Sequence, residues 1–299
     1  MTTNPAAHYP LAEISILPRR LLLDTPGVEA TVPMLRGAWG AALHDLDPVA
    51  YRAVFDTGNG EAAPPAYLFR PAPPDPRFAP AIDWFLFGPA LDHEQALVEA
   101  WRMAAARGLG PRRRPFKIRH AVALGPRGEL RPLAEFARTQ VAGACPLAGA
   151  WPLAGAAWPL AATAPCRLVF PAPLRLRRQG RLVERPTLAD LVVAAARRIA
   201  AFLPHAQHDA WRTQSTAWLE LARHTPQTPW VGDRLDLHRY SGRQQSELDL
   251  RGVTGWLELP EGPGELWQLL AAASWLHLGK GTVMGLGQLL VEKGQTGTT

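Results

Sequence analysis

The stretch ELWQLLAAASWLHLGKGTVMGLGQLLV, from Glu265 to Val291, decides the fold. Its first part, Glu265 to Leu276, has the apolar spacing of a helix, and Val283 to Val291 is typical of a strand. Four glycines around Lys280 separate these parts: Gly279, Gly281, Gly285 and Gly287. The stretch therefore predicts a helix, a glycine-rich loop and a final strand, which is how a β-α-β-β-α-β unit ends.

The residues before this stretch predict the earlier elements of the same unit. Cys166 to Leu176 has strand character, and Thr187 is placed to cap a helix with an apolar stripe on one side. A connecting region that contains Trp211 and Trp218 follows, and Leu248 to Leu259 alternates between apolar and polar residues like a strand. The second half of the chain thus has the elements of one ferredoxin-like domain.

The first half of the chain has the same order of elements. The predicted strands are Leu11 to Leu23, Tyr67 to Arg70, Ile82 to Phe87 and Ile118 to Leu124. The predicted helices are Met34 to Leu46, entered through Pro33, and Asp92 to Arg107, ended by Gly108. We therefore predict an α+β fold of two tandem ferredoxin-like (RRM-like) domains, residues 1–140 and 166–299. Segment 141–165, with the apolar repeat PLAGAWPLAGAAWPLA, joins them.

Arginine dominates the basic residues of the chain. The formal net charge is +6, and all but three of the 32 lysine and arginine residues are arginine. They concentrate in two clusters, Arg107 to Arg119 and Arg175 to Arg185. Because a planar guanidinium group binds phosphate well, these clusters predict contacts with nucleic acid. An arginine-rich composition alone is also typical of a GC-rich genome, so the prediction depends on the clustering.

The sequence disfavours several functional classes. No apolar run is long enough to cross a membrane, and the first residues, MTTNPAAHYP, lack the pattern of a signal peptide, so we expect a cytoplasmic protein. Cys145 and Cys166 offer neither a disulfide framework nor a CxxC metal site. Ser274 and Gly281 depart from the Walker A motif, and Met284 departs from GxGxxG. We therefore expect no metal ion and no cofactor.

Two segments have residue types that bind RNA. In the glycine-rich loop, backbone amides near Gly279 and Gly281 and the ammonium group of Lys280 could approach a phosphate. The segment RYSGRQ combines hydrogen-bonding groups with a ring for base stacking: Arg239, Tyr240, Ser241, Arg243 and Gln244. Each segment also has a structural interpretation, a tightly packed turn for the first and a charged loop beside a strand for the second.

Three motifs together resemble one known family. They are similar to motifs of CRISPR precursor-RNA processing endoribonucleases of the RAMP superfamily. The motifs are WLHLGKGTVMGLGQLLV from Trp275, RYSGRQ from Arg239 and MLRGAWGAALHDL from Met34. The resemblance implies CRISPR repeat RNA as a partner, with other subunits of an effector complex as further partners. It also implies metal-independent cleavage, in which the ribose 2′-hydroxyl attacks the adjacent phosphate and leaves a 2′,3′-cyclic phosphate. The residues named in the loop and in RYSGRQ are then the predicted RNA-binding residues.

Among the nine histidines, His44 is the predicted catalytic residue. Members of the family often place a catalytic histidine on or near the first helix of the N-terminal domain, where His44 lies. An imidazole, with a pKa of about 6.5 in water, can accept or donate a proton near neutral pH. Gly37, Gly40 and Ala41 share the face of His44 at helical spacing and form a flat surface for RNA. The same glycines would also suit close packing of another helix.

Other histidines and other functions remain as alternatives. His8, His120 and His238 are weaker catalytic candidates. His205 and His208 have the spacing of a metal-binding pair, but the sequence completes no ligand set around them. A non-catalytic RAMP subunit that only holds guide RNA has the same fold, and a general RNA chaperone has a similar charge. Cleavage of repeat RNA in EDTA distinguishes the enzyme from both.

Overall fold

The computed structural model describes residues 14–55, 65–72, 80–124, 130–131, 139–140, 163–203, 205–236, 238–241, 246–249 and 251–294. These residues form two α+β domains, each with an antiparallel sheet and packed helices. No helix among them is long and apolar enough to span a lipid bilayer. Most of the predicted joining segment, 141–165, lies outside the described residues, so the domain limits remain a prediction.

The N-terminal domain has the predicted order of elements. They are β1 (Ser15–Asp24), α1 (Val32–Leu46), α2 (Pro48–Phe55), β2 (Tyr67–Pro71), β3 (Ala81–Phe87), α3 (Glu94–Arg107), β4 (Lys117–Leu124), β5 (Leu130–Arg131) and β6 (Thr139–Gln140). The sheet has the strand order β2-β3-β1-β4-β5, and β6 pairs with β1. A 3₁₀ turn, Gly88–His93, leads into α3, so the regular helix begins two residues after the expected Asp92.

The C-terminal domain repeats this topology. Its elements are β7 (Cys166–Leu174), β8 (Arg177–Arg178), β9 (Arg181–Leu182), α4 (Leu188–Ala200), α5 (His208–His224), β10 (Val231–Leu235), β11 (His238–Ser241), β12 (Ser246–Asp249), β13 (Gly252–Leu259), α6 (Trp267–Leu276) and β14 (Leu290–Lys293). Its main sheet has the order β10-β13-β7-β14, which matches β2-β3-β1-β4 position for position. The predicted fold of two tandem ferredoxin-like domains is therefore confirmed.

The region between α4 and β13 differs from the expectation. The stretch with Trp211 and Trp218, expected as a connection, is the helix α5, and both indoles are buried with ring centroids 5.2 Å apart. The second strand of the unit is β10, which the sequence did not predict. Every residue of β10 is exposed. Its sequence, VGDRL, therefore lacks the alternation of apolar and polar residues that is typical of a half-buried strand.

Two strand boundaries were also wrong. The strand expected from Leu248 to Leu259 is divided between β12, which pairs with β11 in a hairpin, and β13, which lies in the main sheet. The last strand begins at Leu290 rather than Val283. Gly281 and Gly285 have left-handed φ angles of 81° and 85°, and they enclose a 3₁₀ turn that delays the strand.

Strand β3 connects the cores of the two domains. Its side chains alternate, so Trp84 and Leu86 pack with α1 and α3, whereas Phe85 and Phe87 face the second domain. The Phe85 ring lies edge-on to Trp275 of α6, with centroids 5.8 Å apart. Helices of the second domain therefore cover the face of the first sheet that α1 and α3 leave free. The outer surface of α1, which includes Gly37, Ala41 and His44, is exposed.

Candidate functional site

Helix α1 and helix α2 form a corner that positions His44. The Thr31 side chain caps the start of α1 by accepting a hydrogen bond from the Met34 amide at 3.4 Å. At the other end, Asp47 Oδ1 accepts from the amide of Ala50 at 2.9 Å and starts α2. The apolar face of α1, with Trp39 fully buried, packs on the core. His44 in the last turn is therefore directed away from the core, against α2.

A cavity of about 430 Å³ lies in this corner. Residues of α1 form one wall and two aromatic residues of α2 form the other: Arg36, Gly37, Gly40, Ala41, His44 and Asp45, and then Tyr51 and Phe55. The structure thus brings His44 together with the small residues that share its face. The motif MLRGAWGAALHDL contains Arg36, and Tyr51 and Phe55 follow it. The sequence indicated no role for these three residues, because only the packing of α2 on α1 places them beside His44.

The imidazole of His44 is accessible and has defined neighbours. Its side chain is 63% exposed, and its Nδ1 lies 3.3 Å from Asp45 Oδ1. The ring of Tyr51 packs edge-on against it, with centroids 4.9 Å apart. Arg107 Nη1 donates to the other oxygen of Asp45 at 2.7 Å. Hydrogen bonds from His44 and then Arg107 lower the pKa of Asp45, so its carboxylate stays charged next to the imidazole.

Arg36 adds a fixed positive charge to the same wall. Its Nε donates to the hydroxyl of Tyr67 at 2.8 Å, and its guanidinium lies 5.2 Å from the centroid of the Phe55 ring. Burial raises the pKa of Tyr67 to about 12, so the phenol stays neutral and accepts this bond. The cavity therefore combines an imidazole and a guanidinium group from α1 with two aromatic rings from α2.

The glycine-rich loop is built on close backbone contacts. A Cβ at Gly279 would lie 2.5 Å from the carbonyl oxygen of Arg175, and one at Gly287 would overlap the carbonyl oxygen of Leu278. The amide of Lys280 donates to Arg175 O at 3.0 Å, whereas its side chain is exposed. The glycines thus serve packing first, and the Lys280 amide is already occupied. The ammonium group of Lys280 is left as the exposed feature.

The loop also touches the first domain. A Cβ at Gly285 would lie 3.0 Å from the carbonyl oxygen of Phe69 in β2, and Val283 packs on the core of the first domain. Arg70, next to Phe69, donates to the fully buried Asp83 at 2.8 Å, and Arg20 donates to the same carboxylate at 2.7 Å. The loop is therefore seated on a rigid part of the neighbouring domain.

Next to Arg175 lies a strongly basic cleft. It has a volume of about 250 Å³, and five guanidinium groups line it: Arg175, Arg177, Arg181, Arg234 and Arg251. Glu184 is the one acidic residue among the described residues of the lining, and it pairs with Arg234 at 2.8 Å. Arg175 to Arg185, predicted as a basic cluster, supplies this cleft through the hairpin β8-β9. Such a surface is suited to binding a phosphate backbone.

The RNA-binding candidates of the segment RYSGRQ lie only in part within the described residues. The backbone of Arg239, Tyr240 and Ser241 lies in β11, where Tyr240 pairs with Glu247 of β12. Arg243 and Gln244 lie outside the described residues.

The other histidines are distributed over the molecule. His8 and the side chain of His238 are also outside the described residues, and His120 is exposed on β4. The rings of His205 and His208 are 5.0 Å apart, but the described part of the chain contains no group of three or more potential metal ligands.

The chain thus has two tandem ferredoxin-like domains and a glycine-rich loop that contacts both of them. Residues 168–289, which form most of the second domain, match the family "CRISPR-associated endoribonuclease Cas6". This match confirms the predicted resemblance for the part of the chain that holds RYSGRQ and the glycine-rich loop, whereas the third motif, which begins at Met34, lies outside the matched residues. A comparison with curated proteins finds no match.

Solved structures support the fold over nearly the whole chain. A Cas6 product complex matches with a TM-score of 0.54 and 15% identity, and covers 93% of this chain and 98% of that chain. A second Cas6 product complex matches with a TM-score of 0.52 and 18% identity, and covers 93% and 100%. Thermus thermophilus Cas6 matches with a TM-score of 0.53 and 12% identity, and covers 93% and 98%. At these identities the likeness shows the shared fold.

Proposed function

We propose that this protein is an endoribonuclease that binds CRISPR repeat RNA in the cytoplasm and cuts it within each repeat to release guide RNAs. The observation that carries the proposal is the exposed His44 in a cavity that also holds Arg36. The family match to Cas6 and the basic cleft of the second domain support it. The reaction needs no metal ion, because the ribose 2′-hydroxyl is the nucleophile.

The proposed chemistry assigns one task to each polar group of the cavity. His44 transfers a proton, either from the attacking 2′-hydroxyl or to the leaving 5′-oxygen. Asp45 holds the imidazole through Nδ1 and leaves Nε2 for the substrate. Arg36 offsets negative charge that develops on the phosphorane oxygens. The products are a 2′,3′-cyclic phosphate and a 5′-hydroxyl.

The proposed RNA-binding surface lies on the second domain. Lys280 extends from the loop, and the arginine cleft continues this positive surface through Arg175, whose carbonyl oxygen accepts from the Lys280 amide. The β11-β12 hairpin is proposed to contribute the RNA-binding segment RYSGRQ: Arg239, Tyr240, Ser241, Arg243 and Gln244. Gly279 and Gly281 hold the loop in the shape that presents Lys280. Contacts to phosphates make the affinity decrease with rising salt concentration.

The test is cleavage of end-labelled repeat RNA in EDTA by the wild type and by His44→Ala. We expect the wild type to cut once per repeat and His44→Ala to be about 10²- to 10⁴-fold slower, as for loss of a general acid or base. The dissociation constant should stay within about threefold, because most of the proposed phosphate contacts are made by Lys280 and the arginine cleft.

His224→Ala, which changes an exposed histidine at the end of α5, is the matched control and should cleave normally. Wild-type cleavage by His44→Ala would contradict the assignment. Binding without any cleavage by the wild type would instead indicate a subunit that holds guide RNA in a larger effector complex.

A further inference from the structure

The aromatic wall of the His44 cavity is a preformed stacking surface. The rings of Tyr51 and Phe55 stack on each other, with planes 9° apart and centroids 4.9 Å apart, and both are half-buried. Because Phe55 also packs on Trp39 and Tyr67, the ring of Tyr51 is the one offered to a base. Trp39 supports Phe55 from the core side at 5.3 Å, so the wall is fixed. Flat aromatic faces at the surface of an RNA-binding protein hold unpaired bases by stacking.

The opposite wall is open at one specific position. A Cβ at Gly37 would meet no atom within 4 Å, whereas a Cβ at Gly40 would lie 2.9 Å from the Phe55 ring. Gly40 thus lets α2 approach α1, and Gly37 leaves the cavity empty in front of the aromatic wall. A packing role explains Gly40 but does not explain Gly37.

Arg36 supplies hydrogen-bond donors at the edge of this cavity. Its Nε is occupied by Tyr67, and within the described residues its terminal guanidinium nitrogens have no hydrogen-bond partner. Such nitrogens donate to acceptor atoms on a base edge or to a phosphate oxygen. A phosphate alone would make no favourable contact with the apolar walls formed by Ala41 and Phe55. A base would pack against these walls and could accept a hydrogen bond from Arg36.

We propose that this cavity binds one unstacked nucleobase, that of the nucleotide whose 2′-hydroxyl attacks. This inference rests on the proposed function, because it places the cleavage site at His44. A base held against Tyr51 is removed from the RNA stack, and RNA-binding proteins commonly hold unpaired bases on aromatic side chains in this way. Its ribose then lies beside the imidazole, with the 2′-hydroxyl within reach of His44.

Filling the cavity tests the inference. Gly37→Leu projects a side chain into the space in front of the aromatic wall, and leucine suits a helix better than glycine, so the fold should be kept. We expect cleavage to be at least 30-fold slower with a dissociation constant within threefold of wild type. Gly37→Ala adds only a methyl group and should have a smaller effect. Gln95→Leu on the exposed face of α3 is the matched control for an added surface leucine.

A modified substrate identifies the occupant. RNA with an abasic ribose at the attacking nucleotide should be cleaved slowly by the wild type, and Gly37→Leu should slow that RNA no further. If the abasic nucleotide and Gly37→Leu instead slowed cleavage independently, so that their effects multiplied, the leucine and the base would not share a site. That result would overturn the inference. Normal cleavage by Gly37→Leu would overturn it as well, while leaving the proposed nuclease intact.

A fluorescence measurement makes the test independent of cleavage. With 2-aminopurine at the attacking nucleotide and a 2′-deoxyribose that blocks the reaction, binding to the wild type should change the fluorescence strongly. The change should be lost with Gly37→Leu at saturating protein. Equal signals from both proteins would contradict the base pocket, even if the wild type proved to have no nuclease activity.

Discussion

At the scale of single residues, His277 shows how burial fixes the charge of a side chain. It follows α6 with a left-handed φ of 57°, is fully buried, and its Nδ1 donates to the carbonyl oxygen of Leu286 across the glycine-rich loop at 3.1 Å. Burial first, and then the nearby charge of Arg70 with that of Arg198, lowers the pKa of His277 to about 3. His277 therefore stays neutral while it holds the loop closed.

This pKa predicts an acid-sensitive contribution to stability. The folded-state pKa of His277 lies below its value of about 6.5 in the unfolded chain, so the unfolded state binds more protons between these values. The stabilising contribution of neutral His277 should be fully present above pH 6.5. Below pH 6.5 the free energy of unfolding should fall by up to about 1.4 kcal/mol per pH unit. Urea titrations at pH 7 and pH 5 measure this change.

The control is His277→Asn, which accepts a positive φ and can still donate an amide hydrogen to Leu286. It should lose less stability than the wild type between the two pH values, because asparagine does not titrate. The same loss in both proteins would mean that other groups cause the pH dependence.

At the scale of elements, the sequence predicted most helices and strands that bury one face, although it missed the helices α2 and α5. Alternation in β1 and the apolar stripe of α4 have this origin. It did not predict β10, whose residues are all exposed and whose place depends on backbone pairing with β13. It also extended the last strand to Val283, because left-handed glycines have no signature in an apolar pattern. The candidate site was predicted only in part. His44 lies on a helix that the sequence predicts, whereas its neighbours Tyr51 and Phe55 reach it only through the packing of α2 on α1.

The glycine-rich loop gives a prediction at this scale. Gly287→Ala places a methyl group against the carbonyl oxygen of Leu278 at a φ of 67°, so both steric overlap and backbone strain result. We expect a loss of several kcal/mol in the free energy of unfolding and weaker RNA binding, since the loop must move.

Gly264→Ala is the matched control, because Gly264 also has a positive φ of 50° but has no atom within 4 Å of an added Cβ. It should cost only about 1 kcal/mol of strain. Equal destabilisation by the two changes would show that strain alone, and not the contact with Leu278, accounts for the glycine.

At the scale of the whole molecule, the two domains share a core, and the two candidate surfaces lie on different domains. The sequence of β3, AIDWFLF, is apolar except for Asp83 and indicates a strand buried on both faces, but it could not show that the second face meets α6. This packing directs the outer face of α1 to solvent. It leaves the cavity with His44 on the first domain and the arginine cleft on the second, so chemistry and phosphate binding are proposed to lie on different domains.

The most direct measurement is a structure of the protein with repeat RNA that carries a 2′-deoxyribose at the cut site. The scissile phosphate should lie within hydrogen-bonding distance, about 3 Å, of His44 or Arg36. The preceding base should lie in the cavity against Tyr51, and the flanking backbone should follow the arginine cleft. A scissile phosphate bound away from the α1-α2 corner, with the cavity empty, would contradict the account.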